Sequence, residues 1–580
     1  MPDSHVDCII HSDNAAGDSL VTDWPQRGIP GAALLSGVLL SACGGGGGAG
    51  SPGSVTPPVV TPPVVTPPPP APPTPVEASR FLAQASMGAT REDIAKVQSI
   101  GYAGWLDEQF ALPASGKRWD WLIAGGFNAA ANMNSEAGAD ACIWRKLLSS
   151  PDVLRQRITL ALSEIVVAAI AGFTGSGWKA FSAAAFLDLL EANAFGNYRT
   201  LLQQVSQSAP MGEFLTYRNN LKFNASTGAM PDENYAREVM QLFTIGLVQL
   251  NLDGTPKLSS GLQQETYTLE DITGLARVFT GWNYDLAGGT TATPDFKQRP
   301  MAQTASRHET GAKVFLGASI APGTDGAASL TQALDTIYAH PNVAPFVSRQ
   351  LIQRLVCSNP SAGYIARVAT VFNNDGAGVK GNLQAVVKAI LLDIEARGAA
   401  GLVNPSFGKV REPVLRFAAW ARAFKATSPS DAWAIGNTSD PGTRLGQSPL
   451  RSPTVFNFFR PGYVPPNSAI GSAGMVAPEF QIVNESTVVG YVNYMQGVVR
   501  NGVGDVKANY STLMPLADTS QALVDELNLL LAAGQLSAAT VALIKGAVDS
   551  MAAATDAARL NRIYAALVLV MAAPEFIVQK

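Results

Sequence analysis

Two adjacent stretches within residues 231–282 carry the clearest amphipathic spacing in the chain. In the first, Tyr235, Val239, Leu242, Phe243 and Gly246 fall on one side at helical spacing, while Asn234, Arg237, Glu238 and Gln241 gather on the other. One face packs and the other is free for polar work. Asp232 and Glu233 stand in the predicted first turn, where carboxylates complement the helix dipole. The second stretch opens at Thr268, which caps with Asp271 three residues on. Its apolar stripe is Leu269, Ile272, Leu275, Ala276 and Phe279, and its polar one Glu270 and Arg277.

The helical rhythm covers most of the chain after Glu77. Thr90 with Asp93 predicts a capped start, and Tyr102, Trp105, Leu106 and Phe110 form the stripe that follows Gly101. Ser150 with Pro151 opens a longer helix through Leu154, Ile158, Ala161, Leu162 and Ile165, on which Arg155, Arg157 and Glu164 read as a solvated face. Later helices are expected over residues 186–195, 201–205, 331–339, 342–356, 364–372, 382–394 and 411–424, with Ala/Leu-rich ones near 519–533, 537–552 and 557–573. Between Gly246 and Gly317 the period changes. Val248, Leu250 and Leu252 alternate into the Asp253-Gly254 turn, and residues 313–316 read as another strand. The expected fold class is mainly α: a large multi-helix globular body, residues 77–580, with a small β insertion.

Several strings inside this body resemble a known family. Pro231-Asp-Glu-Asn-Tyr-Ala-Arg-Glu-Val-Met-Gln-Leu-Phe-Thr-Ile-Gly246, Tyr267-Thr-Leu-Glu-Asp and Phe279-Thr-Gly-Trp282 look like the signature of the bacterial exported proteins known as domain of unknown function eighteen-hundred. Arg307-His-Glu-Thr-Gly-Ala-Lys-Val-Phe-Leu-Gly317, His340-Pro-Asn-Val-Ala-Pro-Phe-Val and Leu445-Gly-Gln-Ser-Pro-Leu-Arg-Ser-Pro are further matches. The resemblance implies export and a partner, since members are often encoded beside a second exported protein similar to alkaline-phosphatase-like hydrolases; it implies no activity. Many members also carry a Trp-His-Asn-His-Phe stretch on an earlier helix. Here that place reads Leu162-Ser-Glu-Ile-Val-Val167, with no histidine.

The N-terminal part has a different character. Residues 31–43 form a short apolar run ending in Leu-Ser-Ala-Cys43, followed by glycines, which looks like a bacterial lipobox: a leader over residues 1–42, cleavage behind Ala42 and a lipid on Cys43. Such a protein sits in the cell envelope, anchored to a membrane. Asp3, Asp7, Asp13, Asp18 and Asp23 precede the only early cation, Arg27, which is unusual for a leader and suggests a start near Leu20 or Val21. Residues 43–76 are rich in Gly and Pro and repeat Val-Val-Thr-Pro-Pro. They read as a disordered, polyproline-like tether that extends ~3.1 Å per residue.

Charge and counts narrow the chemistry. The formal charge is −4, and the leader carries all of it, so the remainder has no footprint for nucleic acid. Cys142 and Cys357 are left in the body, either bridged or as buried thiols. Only His308 and His340 remain, so three histidines cannot hold a metal without a partner. The spacing Gly376-Ala-Gly378-Val-Lys-Gly381 matches a dinucleotide fingerprint but follows a helical pattern, and reads as a helix-helix turn. No phosphate-binding loop, His-Glu-x-x-His or Gly-x-Ser-x-Gly string occurs.

The candidate chemistry is therefore the polar set Arg237, Glu238, Asp271, His308 and Glu309, with Asp232, Glu233, Asn234, Glu270, Arg277 and Lys313 around it. Convergence of Glu238, Asp271 and His308 would let two carboxylates and an imidazole hold a divalent ion or divide acid and base roles in a hydrolase. Dispersal would make them helix-packing ion pairs in a binding or scaffold protein. The Pro- and aromatic-rich residues 448–466, with Phe456, Phe458, Phe459 and Tyr463 beside Arg451 and Arg460, read either as a stacking platform for sugar rings or as a buried cover.

Overall fold

A computed structural model describes residues 71–580. The leader, Cys43 and the tether through residue 70 lie outside the described residues.

The described chain is mainly α-helical, as its periodicity predicts, with one continuous hydrophobic core. Its first helix is Pro75–Ala85, so order begins two residues before Glu77: Thr74 caps it, and the Glu77 carboxylate returns to the Thr74 N–H at 2.8 Å. This helix docks on the last third of the chain. Ser79 donates to the Leu529 carbonyl at 2.6 Å, and Arg80 Nε donates to the Lys580 carbonyl at 3.0 Å.

The expected later helices appear as Lys179–Ala192, Tyr198–Gln207, Gly326–Ala339, Val343–Leu355, Ala362–Asn373, Leu383–Leu392, Pro413–Ala423, Ser520–Ala532, Ala538–Asp549 and Asp556–Ala572. The loop holding Gly376, Gly378 and Gly381 joins two of them and is a helix-helix turn. No helix among the described residues is long and apolar enough to cross a membrane. Cys142 and Cys357 are buried free thiols, each raised to about 12 by burial.

Strand content is confined to two-stranded antiparallel pairs. Leu258–Ser259 with Leu262–Gln263, Trp282–Asn283 with Ala302–Gln303, and Lys313–Phe315 with Ala318–Ile320 form the β insertion. Val248 and Leu250 make only single bridges, to Glu265 and Pro256, rather than the continuous strand that their alternation suggests. A fourth pair closes Lys409–Val410 against Val578–Gln579.

Two elements differ from their sequence pattern. The first central helix is shorter than expected, Asn234–Gln241, and leaves Asp232 and Glu233 ahead of it. After Leu242 the chain turns tightly and ends at Gly246, whose φ of 70° an L side chain rarely adopts. The second difference is the helix Val153–Ser163, with Asp152 at its cap. Its Arg157 is fully buried and Glu164, just after it, is 6% exposed, so these residues do not form a solvated face.

Candidate functional site

The second central helix, Leu269–Ala276, begins with the predicted capping box. Asp271 is fully engaged there: Oδ2 accepts the Thr268 N–H at 2.8 Å, and Oδ1 accepts the Leu316 N–H at 2.6 Å, fixing the helix to the strand Lys313–Phe315. The approach is close enough that a Cβ on Gly274 would lie 1.7 Å from the Val314 carbonyl oxygen. Glu233 bridges the two central helices by accepting from Thr273 Oγ1 at 2.7 Å, with Arg237 3.6 Å away.

His308 points inward, away from Asp271. Its Nδ1 lies 3.0 Å from the Thr280 carbonyl, which can only accept, so Nδ1 carries the proton; Nε2 faces Ser329 Oγ at 3.4 Å. Burial lowers its pKa and keeps the ring neutral. Glu309 follows on the chain. Burial alone would raise its carboxyl, but the N–H groups of Gly311 and Phe223 and the charges of Arg277 and Lys313 hold it below the usual range. Lys313 is buried beside it, with no hydrogen-bond partner for Nζ. Burial pulls the Lys313 pKa down against the opposing charge of Glu309.

Glu238 is 6% exposed and its Oε2 has no hydrogen-bond partner. Burial raises its pKa, with Arg237 opposing. The proposed convergence of Glu238, Asp271 and His308 on a divalent ion is not formed: among the described residues no group of three His, Cys, Asp or Glu is placed to hold a metal. Asp271 faces a strand, His308 faces Thr280 and Ser329, and Glu238 is packed behind Arg237. Of the candidate set, Arg237 lines an open depression.

A larger polar cluster, absent from the candidate set, lies deep in the body. Arg157 donates to the Arg354 carbonyl at 2.5 Å, and Arg354 Nε lies 3.3 Å from Glu164. Lys409 Nζ pairs with Glu479 at 3.0 Å and also reaches the Arg354 carbonyl at 2.9 Å. Gln447, from one of the family-like strings, donates to Glu412 at 2.6 Å and accepts from the Val414 N–H at 3.0 Å. Burial, reinforced by the Glu412 charge, raises Glu164 well above the usual carboxyl range despite Arg354. Burial also acts on Glu412, but the hydrogen bond from Glu164 and the charges of Lys409 and Arg157 hold it down. The spacing held a signal: Arg157, Ala161 and Glu164 follow at i, i+4, i+7, so the two charged residues share a face with a residue of the apolar stripe.

The open surface beside the first central helix has different chemistry. A cleft of about 630 Å³ is bounded by residues 241–250, the helix Val343–Leu355 and residues 456–464. Gln241, Leu247 and Val248 also line a second depression of about 480 Å³, which holds Arg237, Glu265, Tyr267 and Leu269. Burial lowers the pKa of Arg349 in the first, and no carboxylate opposes that shift. The Arg460 guanidinium lies 4.7 Å from the centre of the Phe456 ring. The aromatic loop divides its roles: Phe459 is fully buried against Arg354, while Phe456 and Tyr463 line the cleft.

Residues 80–578 match the family described as protein of unknown function (DUF1800), nearly the whole described chain. The chain belongs to this family. Within DUF1800 its signature-like strings supply different parts of the body: residues 231–246 give Gln241, Leu242 and Gly246 to the cleft, residues 340–347 give Phe346, and residues 445–453 give Gln447 to the buried cluster. No curated protein and no solved structure matches the chain.

Proposed function

We propose that the chain is a cell-envelope binding protein, held to a membrane through a lipid on Cys43 and working with a co-exported partner, and that the cleft is its working surface. The observation that carries this reading is the lining of the larger depression, which includes no carboxylate, histidine, cysteine, serine or lysine and has Tyr463 as its one hydroxyl, with no base beside it in the lining. Hydrolysis by side chains needs a base or nucleophile within hydrogen-bond reach of the reacting bond. Binding needs apolar area and a few fixed polar groups, which Phe346, Phe456, Arg349 and the glutamines provide. Asp271 is held by its cap and a strand, His308 by the Thr280 carbonyl and the Ser329 hydroxyl, and Glu238 is buried outside the lining of the larger depression.

The test is incubation of the full chain with acidic and neutral polysaccharides, reading heat of binding and product length together. Retention without shortening is the expected result. Time-dependent shortening that disappears in Glu238→Gln would overturn the reading in favour of a hydrolase.

A further inference from the structure

We infer that the cleft takes a carboxylate-bearing saccharide chain, with Arg349 and Arg460 receiving acid groups and Phe456 and Tyr463 receiving the apolar faces of sugar rings. This deepens the binding reading and rests on it.

The charge argument comes first. Arg349 is half-buried at the cleft wall, with its pKa lowered by burial and no carboxylate in opposition, and Arg460 lies over a ring rather than beside an acid. A guanidinium that faces an open cleft without an ion-pair partner is free to take a planar carboxylate, the group that its fork of N–H donors fits. The cleft lining contains no acid to fill that place.

The neutral groups narrow the ligand further. Gln353 Nε2 already donates to the Ser358 carbonyl at 2.9 Å and Gln350 Nε2 to the Leu242 carbonyl at 3.3 Å, so both amides offer acceptor oxygens to a ligand rich in O–H donors. The rings of Phe456 and Tyr463 supply flat apolar area beside them. A sugar acid presents all three features on one unit: hydroxyls, a C–H face and a carboxylate. An acidic peptide would bring carboxylates to the same arginines but fewer hydroxyl donors for the two amide oxygens, and polyglutamate is the probe that tests it. The larger depression alone, at about 630 Å³, gives room for more than a single sugar.

The experiment uses the full chain with three probes: a defined oligogalacturonate, its neutral methyl ester, and polyglutamate of matched charge. The oligogalacturonate is expected to bind in a salt-sensitive way, with the other two at least about tenfold weaker. Arg349→Gln is expected to weaken it by roughly ten- to a hundredfold without lowering Tm, because a charged hydrogen bond is lost and no native ion pair is broken. Leu247→Glu, at a 56% exposed position on the junction of the two depressions, is expected to weaken it as well. Lys425→Gln, which removes an equal charge from an exposed pair with Glu92, should leave it unchanged. Equal binding of the ester or of polyglutamate, or an unaltered Arg349→Gln, overturns the proposal. An oligogalacturonate left intact and unbound overturns the ligand class alone, whereas a shortened one overturns the binding reading beneath it.

Discussion

The Arg354 guanidinium sits 4.9 Å from the centre of the Phe459 ring. That contact joins the two polar regions of the body, because Arg354 belongs to the buried ionic cluster and the next residue after Phe459, Arg460, lines the cleft. The neighbouring Gln353 strengthens the join by donating to the Pro461 carbonyl at 3.3 Å. The position of the cleft wall therefore depends on charges that never meet solvent.

Lys409 and Glu479 form a nearly unexposed pair at 3.0 Å. Removing one partner strands the other charge, so Lys409→Met should cost about 3–5 kcal/mol. Adding Glu479→Leu should return much of that loss, because two apolar groups need no partners. Urea unfolding of the single and double variants measures both; equal loss in the two would show that the pair is not coupled.

His308 gives a pH dependence with a fixed sign. Burial holds its folded pKa below the ordinary 6.5, so the unfolded chain takes up the proton first as pH falls. Its contribution is present above that value and is lost as pH drops below 6.5 towards the folded pKa, with a slope of at most about 1.4 kcal/mol per pH unit. His308→Gln should remove this part of the acid sensitivity while lowering stability at neutral pH by about 1–3 kcal/mol. Parallel unfolding curves for wild type and variant at every pH would contradict it.

Gly274 marks the closest approach of helix to strand. An added methyl would meet the Val314 carbonyl oxygen at 1.7 Å, and backbone cannot rotate away as a side chain can. Gly274→Ala should therefore destabilise by about 1–3 kcal/mol despite the better helix propensity of alanine. A calorimetric Tm at or above wild type would show that the helix shifts freely.

The proposal of a lipid anchor rests on Leu-Ser-Ala-Cys43 and the Gly/Pro-rich residues behind it. Cys43→Ser should move the protein from the membrane to the soluble fraction. Deleting residues 49–70 should leave the Tm of the body unchanged, since a segment so rich in proline forms neither helix nor sheet interior and has little to pack. Retention of the serine variant in membranes, with no lipid label on wild type, would contradict the anchor.

Local signals in the sequence gave the helices and their caps, because caps and amphipathic faces are written within a few residues. Thr90 with Asp93 and Thr268 with Asp271 both form the boxes that their spacing predicts. What periodicity does not give is depth. Arg157 and Glu164 looked like surface residues by type, yet the body covers them with segments around residues 354, 412 and 447. His308 meets Thr280 and Ser329, which lie 28 and 21 residues away on either side. The cleft was harder still, since its walls come from three segments whose meeting is a tertiary event.

The docking of Pro75–Ala85 onto the last third of the chain bears on the order of assembly. Ser79 and Leu529 are separated by 450 residues, and Arg80 closes on Lys580 across 500. Phe81 packs on Tyr102 and Trp105 soon after it in the chain, whereas Ser79 and Arg80 wait for partners made long after them, and contacts so distant in sequence slow the final collapse. A growing chain can pack its first two helices on each other, but it cannot close the front of the body until its last residues have been made.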